Sequence, residues 1–197
     1  MEKLTQGYWE NRYLMQDTGW DIGQISAPFK AYFDQLRDKN IKILIPGCGN
    51  AYEAEYLIKH GFTEVYVLDW SASALKNLKQ RLPAIKDEQL ICGDFFQHQK
   101  QQYDLIIEQT FFCALPVNRR NDYVEQMHRL LKKEGKLVGL LFNVPLFTAH
   151  PPFGGNEQTY RKLFDPYFDI MIMETCYNSI EPRKGNELFI KLQPKIM

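Results

Sequence analysis

Residues 41–50 read IKILIPGCGN, an apolar run followed at once by two glycines. The β-branched residues of 41–46 predict a buried strand, and the pattern over 51–60 predicts a helix that Gly61 ends. Glycine between a buried strand and a helix lets the backbone approach a ligand closely, and the helix N-terminus offers free N–H groups. The candidate ligand-binding residues of this turn are Gly47, Cys48 and Gly49.

Outward from this unit, short β-rich runs alternate with longer helical patterns, as is typical of a parallel α/β sheet. Further strands are predicted over 65–69, 89–92, 103–108 and 136–142, and further helices over 71–82 and 118–132. A helix near 156–164 then precedes two strand-like runs, 167–174 and 187–192, with no helix between them. Strands joined without a crossover helix pair antiparallel. The sequence therefore predicts a Rossmann-like α/β fold, with a mostly parallel sheet that ends in a C-terminal antiparallel hairpin.

The length of the chain limits its domain organisation, and its net charge limits the classes of partner that it can bind. The chain has 197 residues, 45% of them hydrophobic and 24% charged, which predicts one globular domain: a lid over 1–38 and a core over 39–197. The 24 Lys and Arg residues balance the 24 Asp and Glu residues, which disfavours a nucleic-acid partner because such proteins carry a basic footprint. The basic pairs 119–120 and 132–133 are interpreted as solvated helix surface.

Neither a membrane protein nor a metalloprotein is indicated. No run of about 18 apolar residues occurs, and the first ten residues lack the apolar core of a secretory signal. The four cysteines are far apart and form no CxxC pair, which is typical of reduced thiols and predicts neither a zinc site nor disulfides. We expect a cytoplasmic monomer or weak dimer that acts on a small molecule and binds no metal.

Acidic residues end the second and third predicted strands. Asp69 lies 22 residues after Gly47, and an acid at about this distance binds the ribose hydroxyls in nucleotide-binding folds. Asp94 follows Gly93 at the end of the third strand, at the edge where adenine would lie. Each acid alone is also explained by a helix cap or a turn. Their positions at successive strand ends favour a nucleotide-type ligand.

The loop favours a ligand without phosphates. The dinucleotide pattern G-x-G-x-x-G fails at Tyr52, and the loop has no P-loop lysine. S-adenosylmethionine (SAM) requires only ribose, adenine and amino-acid contacts, and the predicted hairpin also favours a SAM-dependent methyltransferase. NAD-dependent oxidoreduction is the rival enzyme class, and a SAM-binding regulatory module is the non-enzymatic alternative.

Aromatic residues make up 14% of the chain, and four of them are crowded ahead of the first strand: Tyr8, Trp9, Tyr13 and Trp20. Such residues either pack a lid helix onto the sheet or present their faces to the sulfonium of SAM. A cation over Trp or Tyr gains about 0.5–2 kcal/mol.

From about residue 9 to residue 187, the chain resembles the thiopurine S-methyltransferase superfamily. Within it, the chain is most similar to the plant-type thiol/halide methyltransferases, the harmless-to-ozone-layer proteins. The segments that carry the resemblance are Trp9, WDIG (20–23), IPGCG (45–49), YDLI (103–106), FFCA (111–114), HPPF (150–153) and EPRKG (181–185).

The resemblance implies a SAM-binding core under an N-terminal lid. By matched position, SAM would contact Trp9, Tyr13, Trp20, Gly47, Asp69, Asp94 and Phe95. With the rest of the loop and the neighbouring strand ends, the expected cofactor set also includes Cys48, Gly49, Trp70, Glu108 and Gln109. The plant-type pattern has Trp in place of Tyr13, and Tyr in place of both Gln109 and Phe142. The last two positions face the methyl acceptor in that family, which leaves the acceptor open.

We expect the acceptor pocket to hold a small, poorly hydrated anion, and its predicted lining is Phe112, Phe142, Pro152 and Phe153. Methyl transfer from a sulfonium to an anion needs alignment and exclusion of water, but no general base. Glu108 is the one neighbouring acid that could move a proton; we expect it instead to contact the cofactor or to end its strand. The predicted function is methylation of a thiol, bisulfide, thiocyanate or halide, and a thiopurine, selenium or tellurium species is the alternative acceptor.

Overall fold

A computed structural model describes residues 4–99 and 102–196. Seven strands form one sheet; counted along the chain, they lie in the order third, second, first, fourth, fifth, seventh, sixth. The chain divides into two compact units between His98 and Gln99. No helix in these ranges is long and apolar enough to cross a membrane.

The first unit is a parallel α/β arrangement preceded by two short helices. Its elements are α1 (Gln6–Leu14), α2 (Ala27–Phe33), β1 (Ile43–Pro46), α3 (Tyr52–Lys59), β2 (Val65–Asp69), α4 (Ala72–Arg81) and β3 (Leu90–Cys92). Strand β2 pairs parallel with both β1 and β3. All four residues of β1 are buried, as expected for a strand covered on both faces.

Two helix starts in this unit follow from local chemistry. Helix α4 begins where predicted, because the Ser71 hydroxyl accepts a hydrogen bond from the Ala74 N–H. Helix α3 begins one residue later than predicted: Ala51 takes a left-handed conformation with φ +53° and precedes the helix.

The second unit contains the rest of the sheet. Its elements are β4 (Tyr103–Gln109), α5 (Arg120–Leu130), β5 (Leu131–Phe142), α6 (Glu157–Phe164), β6 (Phe168–Thr175) and β7 (Glu187–Pro194). Strand β5 pairs parallel with β4, and β7 pairs antiparallel with both β5 and β6. The predicted C-terminal antiparallel hairpin is therefore confirmed.

The predicted boundary between α5 and β5 is wrong. Helix α5 ends at Leu130, and β5 begins at Leu131 with no loop between them. The pairing of β5 with β4 is irregular here, since Leu131 is opposite Tyr103 but Lys136 is already opposite Leu105. Gly135 lies in this irregularity, where a Cβ atom would come within 2.8 Å of the Tyr103 carbonyl oxygen. The pair 132–133 is exposed on a strand and not on a helix.

Candidate functional site

The glycine turn after β1 has an unusual backbone. Gly47, Gly49 and Ala51 take positive φ values of 56°, 53° and 53°, so left-handed residues alternate with Cys48 and Asn50. Only glycine adopts this conformation without strain. A Cβ atom on Gly49 would also lie 2.5 Å from the hydroxyl oxygen of Tyr13. The turn thus requires glycine at position 49 for conformation and for space.

Asp69 lies at the end of β2 and is 7% exposed. Its Oδ2 accepts a hydrogen bond from the Gly49 N–H and its Oδ1 accepts one from the Ser71 N–H, both at 2.8 Å. Burial raises the pKa of this carboxyl, and the backbone donors oppose that effect. A carboxylate has about four lone-pair sites, so acceptor capacity remains for a ligand that carries two adjacent hydroxyl groups. The buried carboxylate and the glycine turn fit the ribose of an adenosine-type ligand.

The N-terminal aromatic residues contact one another. The ring of Trp20 meets those of Trp9 and Tyr13 edge to face, with centroids 5.6 Å and 6.0 Å apart, and Tyr8 packs on Trp9 at 5.0 Å. The Arg12 guanidinium carbon lies 5.0 Å from the Trp20 ring centroid. A cation of the chain itself therefore already contacts Trp20, while Trp9 and Trp20 both keep partly exposed surface.

Two carboxylates that the sequence reasoning missed hold this aromatic segment in place. Glu10 on α1 accepts hydrogen bonds from the hydroxyls of Ser71 and Ser73. Asp21 accepts one from the Asn50 side chain, and its other oxygen accepts one from the Gly23 N–H at 2.7 Å. Nothing in the sequence marks the bonds to Ser71, Ser73 and Asn50, because these join residues far apart in the chain.

The other residues predicted to bind the cofactor make contacts with residues closer to them in the sequence. Cys48 and Trp70 are half-buried. Asp94 is half-buried and caps the short turn that follows it, since its Oδ1 accepts a hydrogen bond from the Phe96 N–H at 2.9 Å. Phe95 is 3% exposed and packs edge to face on Phe96.

In the second unit, Glu108 is fully buried near the end of β4. Its Oε1 accepts hydrogen bonds from the N–H groups of Phe111 and Phe112, at 2.8 and 2.9 Å, and its Oε2 accepts one from the Tyr123 hydroxyl. Burial raises its pKa to about 7, against the effect of these three donors. Glu108 thus has no surface to offer a ligand in this structure, and it stabilises the turn from Thr110 to Cys113.

The predicted pocket residue Phe112 is completely buried, and Arg120 lies beside it. The Arg120 guanidinium carbon is 4.5 Å from the Phe112 ring centroid, and its Nη2 donates to the carbonyl oxygens of Phe153 and Gly154. Its Nε has no hydrogen-bond acceptor among the described residues. The interpretation of the pair 119–120 as solvated surface is therefore wrong for Arg120, which is 5% exposed. Two adjacent arginines do not reveal which one faces inward.

The remaining pocket residues differ in exposure. Phe142 is half-buried, and the guanidinium carbon of Arg183 lies 5.5 Å from its ring centroid. Phe153 is 2% exposed, and its N–H donates to the Cys113 carbonyl oxygen at 2.7 Å. Pro152 is exposed. Gln109 is half-buried, and its Oε1 is buried and accepts no hydrogen bond from the described residues.

Comparison with known proteins agrees with this geometry. A sequence profile of the thiopurine S-methyltransferase family matches residues 4–191. Probable thiol methyltransferase 2 of Arabidopsis thaliana is 28% identical over 192 residues, which cover 95% of this chain and 84% of the plant protein. Thiocyanate methyltransferase 1 of Brassica oleracea is 28% identical over 193 residues, which cover 94% and 84%. The crystal structure of magnesium protoporphyrin IX methyltransferase from Synechocystis PCC 6803 with bound SAH has a TM-score of 0.73 at 14% identity, covering 97% of this chain and 100% of that one.

The mostly parallel sheet with its C-terminal antiparallel hairpin is the fold of the class I SAM-dependent methyltransferases. Methyl transfer with S-adenosylmethionine as cofactor follows from the family match over residues 4–191. The chain belongs to the thiopurine S-methyltransferase family. The predicted family, fold class, enzyme class and cofactor are confirmed.

Proposed function

We propose that this enzyme methylates a small soft nucleophile that arrives as an anion: bisulfide or another thiolate, thiocyanate or a halide. When bound, SAM supplies an electrophilic methyl group on a sulfonium centre. Asp69 and the turn from Gly47 to Gly49 hold the ribose and amino-acid parts, beneath the aromatic residues of α1. The names of the plant relatives, a thiol and a thiocyanate methyltransferase, support this acceptor class.

The observation that supports this proposal most directly is that both carboxylate oxygens of Glu108 are hydrogen-bonded within the protein. A general base must reach the proton that it removes. Both oxygens of Glu108 bind protein donors, and the side chain is fully buried. An acceptor that is already an anion when it binds needs no base, and it therefore fits a site whose neighbouring acid is engaged in this way.

The charge and polarity of the predicted pocket support an anion. The Arg183 guanidinium lies against the half-buried ring of Phe142, whereas Phe112 and Arg120 are buried, as Glu108 is, and offer a ligand almost no surface. Positive charge beside apolar walls favours a poorly hydrated anion over a strongly hydrated one.

A pH profile tests the absence of a base. Thiocyanate and iodide are anions at every accessible pH, so their methylation at saturating SAM should be nearly independent of pH between about 6 and 9. With hydrogen sulfide as the acceptor, the rate should follow the bisulfide fraction. Glu108→Gln should leave the thiocyanate profile flat. A hydrogen sulfide profile that departs from the bisulfide fraction in the wild type and follows it again in Glu108→Gln would show that Glu108 moves a proton, against the proposal.

A thiopurine is the second candidate acceptor, and Gln109 favours it. The buried Oε1 of this residue has no donor among the described residues, and leaving such an atom unsatisfied costs about 1–3 kcal/mol. A ring N–H of a thiopurine would satisfy it, but a halide would not. Gln109→Leu should therefore lower kcat/KM for a thiopurine by about 10-fold or more and leave iodide unaffected. Equal loss on both acceptors would remove this role for Gln109.

A further inference from the structure

Helix α1 is fastened to the start of α4 by one carboxylate. Glu10 accepts hydrogen bonds from the Ser71 hydroxyl at 2.6 Å, from the Ser73 N–H at 3.2 Å and from the Ser73 hydroxyl. Gln6, one turn earlier on α1, donates its Nε2 to the Trp70 carbonyl oxygen at 3.1 Å. Side chains four residues apart share a helix face, so one face of α1 carries both contacts.

The contact has a chemical basis at each end. The first N–H groups of α4 have no partner within the helix, and the positive end of its dipole favours a negative charge. Ser71 already caps this end through its hydroxyl, which accepts the Ala74 N–H. Glu10 adds the charge, and the hydrogen bonds from Ser71 and then Ser73 lower its pKa.

Ser71 links Glu10 to Asp69. Its hydroxyl donates to Glu10 and its backbone N–H donates to Asp69 Oδ1, so one residue binds both carboxylates. Asp69 in turn holds the N–H of Gly49 through its other oxygen.

Helix α1 also carries three of the aromatic residues, Tyr8, Trp9 and Tyr13. Trp9 precedes Glu10 directly in the sequence, and Tyr13 lies almost one turn further on, with its hydroxyl against Gly49. Fixing α1 at Glu10 therefore fixes Tyr13 against the glycine turn, and it fixes Trp9 because that residue lies on the same helix.

We propose that Glu10 is a positioning residue for S-adenosylmethionine. It holds α1 against the start of α4, and it keeps Ser71 in the position from which its backbone N–H donates to Asp69. The inference rests on the proposed SAM-binding site, which is formed by Asp69 and the turn from Gly47 to Gly49. Glu10 touches neither SAM nor the methyl acceptor; it acts through Ser71, Trp9 and Tyr13. Its charge sets the affinity for SAM and for the product S-adenosylhomocysteine, while the rate at saturating SAM does not depend on it.

Calorimetric titration with S-adenosylhomocysteine tests this with four variants of the full chain. Glu10→Ala removes all three hydrogen bonds to the carboxylate and should raise Kd by about 10-fold or more. Glu10→Gln keeps the shape and one acceptor oxygen, so its Kd should fall between those of the wild type and Glu10→Ala. Ser73→Ala removes a partner without touching α1 and should weaken binding in the same direction. Asn11→Ala, next to Glu10 on the helix, is the matched control and should bind like the wild type.

Steady-state kinetics separate positioning from a general loss of structure. Glu10→Ala should raise KM for SAM and leave kcat and KM for the acceptor unchanged, and the double variant with Ser73→Ala should be no worse than Glu10→Ala. Wild-type affinity in Glu10→Ala, or a lower kcat at unchanged KM, would overturn the inference. If Glu10→Ala does not fold, unchanged affinity in Ser73→Ala overturns it equally. Failure of the wild type to bind S-adenosylhomocysteine would instead refute the donor site itself.

Discussion

Because Gly49 has no Cβ atom, the Tyr13 hydroxyl can contact the turn at this position. Gly49→Ala would place a methyl group 2.5 Å from that oxygen, on a backbone with φ +53°. Tyr13 would have to move off the turn, and overpacking of this kind costs about 1–3 kcal/mol. We expect the Kd for S-adenosylhomocysteine to rise by about 10-fold, measured by calorimetry.

Gly19→Ala is the matched control for this change. Gly19 lies in the same N-terminal segment, and an added Cβ atom would meet nothing within 4 Å. The control should bind normally. Wild-type affinity in Gly49→Ala as well would contradict a donor site built on this turn.

Glu108 makes the stability of the enzyme depend on pH. Its pKa is raised from 4.5 to about 7 in the folded chain, so the folded state holds a proton that the unfolded state releases. This contribution is fully present below pH 4.5, falls as the pH rises through about 7, and amounts to about 3 kcal/mol at most.

Glu108→Gln keeps the shape and cannot ionise, so the difference between the wild type and this variant isolates the effect. The free energy of unfolding in urea should fall from pH 5 to pH 8 more steeply for the wild type than for the variant. Parallel curves over this range would contradict the raised pKa.

At the residue scale, the sequence predicted what lies at fixed spacing along the chain. Asp69 was predicted as a ligand-binding residue from its distance to Gly47, and the structure buries it against the turn. Glu10 and Arg120 could not be predicted, because their roles depend on partners at residues 71–73 and 153–154. Single-sequence patterns do not report such long-range pairs.

Among the strands, the pairing of β4 with β5 depends on Gly139. A Cβ atom there would lie 2.6 Å from the Cβ atom of Glu108, the residue directly opposite on β4. Gly139→Ala should therefore lower the free energy of unfolding by about 1–3 kcal/mol, measured by urea titration. Gly93→Ala meets nothing within 4 Å and should change stability by less than about 0.5 kcal/mol. Equal effects of the two substitutions would show that the close contact does not matter.

Elements with clear end signals were predicted within one or two residues, as at Ser71 for α4 and at Asn156 for α6, whose side chain caps the helix. The boundary of α5 failed for a physical reason. Leu130 and Leu131 are both buried, so the apolar pattern runs without a break from helix to strand. The hairpin of β6 and β7 was predictable because the segment between them leaves no room for a crossover helix.

For the whole molecule, ligand binding should appear as thermal stabilisation. A ligand at 100 times its Kd stabilises the folded state by about 2.7 kcal/mol, which for a chain of this size raises Tm by about 5–10 °C. S-adenosylhomocysteine should produce this shift, and NAD should not. A shift with NAD and none with S-adenosylhomocysteine would contradict the assignment of the donor site.

The net charge of zero argues against a polyanionic partner but not against a small charged acceptor. The half-buried Phe142 with the Arg183 guanidinium beside it suits such an acceptor better than a charged surface does.

Headspace analysis of methylated volatiles tests the central claim most directly. The purified enzyme is incubated with SAM and iodide, thiocyanate or bisulfide in turn, and the methyl product is compared with the S-adenosylhomocysteine formed. We expect a volatile methyl product from at least one of these anions, in an amount equal to that of the S-adenosylhomocysteine formed. Binding of SAM with no methyl product from any of the three would contradict it.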